Sequence, residues 1–206
     1  YGEEILDFFT FRYCNPSYFT EDVDISENQW GWCSVYPQTK YGVREDGSVE
    51  QMTVNVAQNA SDNSNGGPVA MNDYRGGVYG RGYAKGDYSY SFQYKGETIT
   101  IDKETEDAFL YGLNFQQQWD YALEVDPDFI FITGWNEWVA LRQQEWGGTE
   151  NAFADQYTDE YSRDIEPSDG VLKDHFYYQL VTNIRKFKGV QAPDVADENS
   201  GTYKTI

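Results

Sequence analysis

The sequence predicts an α/β fold, read as the C-terminal half of a TIM-barrel-like (β/α)8 barrel with a β-hairpin inserted. Three observations carry that expectation. First, a helix-period stretch from Asn114 to Val125 stops at Asp126-Pro127-Asp128 and runs straight into the apolar stretch Phe129 to Thr133. Helix, short connection and apolar strand is the order of a parallel sheet covered on both faces. Second, another helix-period stretch spans about 174–188. Third, the chain has 206 residues and four or five parallel-type strands, against roughly 250 residues and eight strands in a closed barrel. The chain is then either part of a barrel whose first half lies elsewhere or a smaller open sheet. The fragment is favoured because a free-standing half barrel would expose two sheet edges and an apolar inner face. The expected barrel domain is therefore a partial one, residues 1–190, with an insertion at about 60–110 and a polar tail at 191–206.

The elements follow in chain order. Glu4 to Arg12 (EILDFFTFR) reads as a mostly apolar, buried strand, and QWGWCSVYPQ at 29–38 as a loop or short strand ending at a proline. Val49 to Ala57 alternates, with Met52, Val54 and Val56 on one face. The insertion SDNSNGGP and DYRGGVYGRGY is rich in Gly, Asn and Ser, the composition of an irregular loop. Tyr88 to Tyr94, the turn Lys95-Gly96 and ETITID form an expected hairpin. Its stripe of Tyr88, Tyr90, Phe92 and Tyr94 is expected to pack on the domain, a sugar platform being the other reading. The first helix buries Phe115, Trp119, Ala122 and Leu123, and proline stops it because it cannot extend the hydrogen-bond ladder. The second buries Phe176, Leu180, Ile184 and Phe187. Its basic end, Arg185, Lys186 and Lys188, suits the negative pole of the helix dipole, and Gly189 caps it.

Charge and composition exclude several functions. With 35 acidic residues against 15 basic ones the formal charge is −20, which repels phosphate backbones and anionic lipid, so no nucleic acid and no membrane partner is expected. A neutral glycan meets no such repulsion. No apolar stretch is long enough for a transmembrane helix. Cys14 and Cys33 leave open a disulfide or two free thiols. The single histidine, His175, provides no ligand cluster for zinc. A Ser-His-Asp or Cys-His site would have to use His175 itself, which at the start of a helix reads first as a surface residue; no metal and no cofactor is expected. Chemistry must then come from carboxylates, amides and aromatic rings.

FIFITGWNEW, residues 129–138, concentrates all three. Ligands of α/β folds bind at the carboxyl ends of the strands, where Asn136 and Glu137 fall. Gly134 lets the chain turn there. A carboxylate beside an indole loses water, which raises its pKa and suits it to proton transfer near neutral pH. Trp135 and Trp138 offer faces for sugar C–H groups, and Asn136 a donor and an acceptor for vicinal hydroxyls. The alternative is a structural Glu137 tying two loops together, with the tryptophans in the core.

FIFITGWNEW, the later RDIEPSDG at 163–170 and the helix HFYYQLVTNIRKFKG resemble the C-terminal half of the endo-α-mannosidase-like glycoside hydrolases of family 99 and their WbsX-like relatives. The resemblance covers about 111–189 and thins toward the N-terminus. It implies a (β/α)8 barrel acting on a polysaccharide or glycan. Glu137 matches the family glutamate that engages the sugar 2-hydroxyl and serves as base. The family's general acid falls three residues on, where this chain has Ala140. A replacement is sought among Glu145, Asp155, Asp159, Glu160, Asp164 and Glu166, with Asp164 and Glu166 favoured because the IEP segment should lie beside the WNEW strand. Arg142 and Arg163 are read either as holding these carboxylates ionised or as making salt bridges only, the second being preferred. Asn59, in VNVAQNA, and Arg81 and Tyr83, in GRGY, join Trp135, Asn136 and Trp138 as expected substrate contacts. The expected function is a secreted glycoside hydrolase, extracellular or periplasmic. The alternative is a carbohydrate-binding protein that lost its acid at Ala140. The missing N-terminal half of the barrel stands open as a partner.

Overall fold

The computed structural model describes residues 2–9, 11–14, 29–60, 68–73, 78–136 and 141–190. The elements are α1 (Gly2–Phe8), β1 (Tyr13–Cys14), β2 (Gln29–Trp30), β3 (Tyr41–Val43), β4 (Val49–Asn55), β5 (Ser89–Tyr94) and β6 (Glu97–Asp102). A 3-10 turn at Ala108–Tyr111 leads to α2 (Leu113–Val125), β7 (Phe129–Thr133), β8 (Arg142–Trp146), β9 (Thr149–Phe153) and α3 (His175–Phe187).

One β-α-β unit organises the molecule. β4 and β7 pair in parallel, with Gln51 opposite Phe129 and Asn55 opposite Thr133, and α2 lies between them in the chain and packs on β4. The apolar run of β7 and the alternation of β4 thus meet as adjacent strands. Met52, Val54 and Val56 pack with Phe115, Trp119 and Ala122 of α2, with Ile130 of β7, and with Ile165, Phe176 and Leu180. Trp119 is wholly buried, and its ring meets that of Phe115 edge-on at 6.2 Å. Truncating a buried Trp or Phe of this kind costs about 3–5 kcal/mol.

The opposite side of α2 is also buried, which its sequence conceals. Gln116, Gln117 and Gln118 are all buried, and each feeds a neighbouring chain segment. Gln118 Oε1 accepts from the Asn55 amide at 3.0 Å, while Gln117 Oε1 accepts from the Lys85 amide at 2.9 Å. Asn114 Nδ2 donates to the Val56 carbonyl at 3.0 Å. Buried amides are tolerated where they satisfy backbone groups that no strand pairs. Here they fasten the exit of β4 to the helix.

The half barrel expected from the sequence is not what forms. Among the described residues no barrel closes. The strands divide into four separate sheets: β1 with β2, β3-β4-β7, β5 with β6, and β8 with β9. The physical reason is pairing partner. β3 joins β4 antiparallel, and the two hairpins satisfy their own backbones locally. Among the described residues β4 and β7 pair in parallel with α2 between them in the chain, and β1 and β2 also pair in parallel, over two residues only. The fold is a mixed α/β arrangement of small sheets around one such unit.

The N-terminal segment also departs from expectation. Its apolar run forms the helix α1 instead of a buried strand, and Leu6, Phe8 and Phe11 are exposed. A short apolar run fits a strand or a helix equally, and no described strand pairs with it over residues 4–9. The β5–β6 hairpin forms around Lys95-Gly96. Its stripe divides: Tyr88 and Tyr90 are half-buried, whereas Phe92 and Tyr94 are exposed. The two cysteines form no disulfide with each other, Cys14 lying exposed and Cys33 buried. Among the described residues no helix is long and apolar enough to cross a membrane.

Candidate functional site

The parallel pair gives β4 and β7 a common carboxyl end. Beyond β7 the chain turns at Gly134, with φ of +80°, and a Cβ there would overlap the Arg163 carbonyl oxygen. Glycine is required on both counts. The close approach lets the 163–166 segment cross the rim. The Ile165 amide donates to the Gly134 carbonyl at 3.0 Å and the Glu166 amide to the Trp135 carbonyl at 2.7 Å. The IEP segment therefore does lie beside the exit of β7.

Beyond β4, the buried run Val56 to Ala60 is held by a second set of backbone bonds. The Gln58 amide donates to the Tyr79 carbonyl at 2.9 Å, and the Val69 amide to the Asn59 carbonyl at 3.0 Å. Asn59 Nδ2 donates to the Ala154 carbonyl. On the other flank, the Thr133 hydroxyl donates to the Trp32 carbonyl. The β8–β9 hairpin docks on residues 68–71 through a 2.7 Å bond from the Met71 amide to the Phe153 carbonyl.

These anchors enclose a cleft of about 360 Å³ at the carboxyl end of the parallel pair, lined by Trp32, Trp146, Asn59, Leu141, Asp155 and Arg163. The Arg163 guanidinium donates to the Asp155 carboxylate and lies 5.4 Å above the Trp32 ring. A planar guanidinium between a carboxylate and an indole face is fixed in two directions. Cys33, wholly buried, packs in the cluster behind Trp32. Burial pushes its thiol up to about 12, against a smaller opposing pull from Arg163, so it stays protonated and unreactive.

The expected site residues divide among several places. Asn59 lines the cleft. Trp135 and Asn136 are exposed, and the Trp135 ring meets Tyr177 edge-on at 6.2 Å. Glu166 is half-buried beside Trp135. Asp164 is buried, its carbonyl accepting from Arg81 Nη2 at 2.5 Å. Arg81 is wholly enclosed, with Nε and Nη2 on the Ser162 hydroxyl at 3.1 and 2.9 Å and its guanidinium 4.3 Å above Phe176. Burial lowers its pKa to about 9, with Asp164 and Asp159 acting the other way, so the cation persists at neutral pH and ties the rim segment to α3. Tyr83 stacks on Tyr79 at 4.2 Å inside the cluster that holds Cys33. Glu137, Trp138 and Ala140 lie outside the described residues.

Trp32 and Trp146 were not singled out by sequence reasoning. Two faint signals mark them: the GWC triplet after β2 and the Trp-Gly-Gly turn of the β8–β9 hairpin. Arg163 makes the salt bridge expected of it, whereas Arg142 donates to the Asn151 side-chain oxygen. Among the described residues no cluster of His, Cys, Asp or Glu has the grouping to hold a metal ion. No family model, curated protein or solved structure matches this chain.

Proposed function

We propose that this chain is a glycoside-hydrolase-like protein that holds a neutral glycan in the Trp32–Trp146 cleft and acts on it through carboxylates, Asp155 and Glu137. The observation that supports this most directly is the cleft's composition: two indoles, an amide and an ion-paired carboxylate at the carboxyl end of the parallel pair. Indole faces take the C–H side of a sugar ring, Asn59 can bond a hydroxyl, and Asp155 is oriented by Arg163. The WNEW and IEP motifs, with their resemblance to endo-α-mannosidase-like glycoside hydrolases, support the same reading. Glycoside hydrolysis calls for two carboxyl groups flanking the bond, about 5 Å apart for direct attack and about 6.5–9.5 Å apart when water intervenes. Glu137 is the residue the motif offers as the second.

A non-catalytic glycan binder is the second reading. Ala140 stands where the resembled family carries its general acid, and the Asp155 carboxylate is already engaged by Arg163.

A reducing-sugar assay against neutral polysaccharides, run beside calorimetric binding, separates the two. For a hydrolase, Glu137→Gln and Asp155→Asn each lower turnover about 10²- to 10⁴-fold with affinity retained. For a binder, the wild-type chain shows no turnover, yet Trp146→Ala weakens binding. Neither turnover nor saturable binding of any neutral glycan overturns both.

A further inference from the structure

A larger cavity, about 470 Å³, opens between the β5–β6 hairpin and the two helices α2 and α3, and it shares no lining residue with the rim cleft. Tyr90, Phe92 and Tyr178 wall it, and Gln116, Asp120 and Gln179 lie along its floor. We propose that this groove is a second saccharide site, which takes a neutral pyranose unit independently of the rim cleft.

The floor is set before any ligand arrives. Asp120 Oδ2 accepts from the Tyr88 hydroxyl at 2.6 Å and Oδ1 from Gln116 Nε2 at 2.8 Å. Gln116 Oε1 accepts in turn from Asn183 Nδ2 and Gln179 Nε2, each at 3.1 Å. A carboxylate with two oxygens so engaged has lone pairs left for sugar hydroxyls, and its orientation needs no reordering on binding. The walls supply the apolar half of the recognition. Tyr90 and Phe92, both on the lining, have centroids 6.1 Å apart with 31° between their planes. Rings of similar tilt make a platform for the C–H face of a pyranose, the counterpart of the hydroxyls on the floor.

Charge narrows the ligand class. Asp120 and Asp174 face the groove against Lys186, on a chain of formal charge −20, so phosphates and acidic sugars are disfavoured. An organic ammonium would meet Lys186 on the same lining, and it is the competing ligand that the test includes. The volume falls in the range of small-molecule sites, roughly 300–1,000 Å³.

Amide chemical-shift titration of the full chain with neutral trisaccharides (cellotriose, xylotriose, mannotriose) tests the proposal. The expected result is saturable shifts at residues 90–92, 116–120 and 175–182. Phe92→Ala and Tyr178→Ala, both exposed positions, should each weaken that binding about tenfold, while Trp146→Ala in the rim cleft should leave it unchanged. Absence of shifts at these residues with roughly 10 mM saccharide, shifts confined to the rim cleft, loss of the groove shifts in Trp146→Ala, or saturation by tetramethylammonium without saccharide would each overturn it. The measurement is independent of turnover, so a failed hydrolase assay leaves it standing.

Discussion

Arg163 and Asp155 form an ion pair with their side chains only 9% and 7% exposed, at the edge of the rim cleft. Eight residues separate them in sequence, and the pair joins the exit of the β8–β9 hairpin to the segment that crosses the carboxyl end of β7. The same bond therefore holds the cleft's wall and orients its carboxylate.

Breaking that pair from one side should be costly. Arg163→Ala leaves a buried carboxylate without its countercharge, and the expected loss is about 3–5 kcal/mol in urea denaturation. Replacing both residues with apolar ones of similar volume should restore most of that stability and, on the proposed function, abolish glycan binding at the rim.

Gly134 admits no side chain. Gly134→Ala drives a methyl group into the Arg163 carbonyl at a positive φ, so overpacking and backbone strain add to roughly 2–5 kcal/mol. The midpoint of chemical unfolding is the measurement, and a loss below about 1 kcal/mol would contradict the rim geometry.

The two thiols should differ sharply. Cys14 is exposed, and Cys33 is buried with its pKa pushed up to about 12. A thiol reagent at pH 8 should modify Cys14 at once and Cys33 only on unfolding, giving one equivalent in buffer and two in denaturant.

His175 is the chain's single histidine, so its ring signals are unambiguous. Burial lowers its pKa below 6.5, with Asp174 opposing. The unfolded chain then binds the proton more readily, and this group's effect is a loss of stability as pH falls below about 6.5. A ring-proton titration should show a midpoint under that value.

Local periodicity was readable and global pairing was not. Phe115, Trp119 and Ala122 mark the buried face of α2, and Phe176 and Leu180 that of α3, because apolar residues recurring every 3.6 positions line up on one side of a helix. Lys95-Gly96 places the hairpin turn by a similarly local rule. The barrel was inferred by extending one helix–strand unit, although the Asp46-Gly47 and Gly147-Gly148 turns are local signals of the antiparallel β3–β4 and β8–β9 pairs. The burial of Gln116–Gln118 was hidden because polarity on a helix usually signals solvent. At the cleft, Arg163 makes the salt bridge read for it, whereas Trp32 and Trp146 come from distant loops that only the fold unites. Arg81 was read as a sugar contact, yet its donors are directed at Ser162 and Asp164.

The parallel pairing of Gln51 with Phe129 has a consequence for biosynthesis. At about 5–20 residues per second, β4 is synthesised on the order of ten seconds before its partner strand. Through that interval Met52, Val54 and Val56 lack the strand that will cover their edge. The nascent chain is thus most open to chaperones, and to mispairing, between the synthesis of Asn55 and that of Thr133.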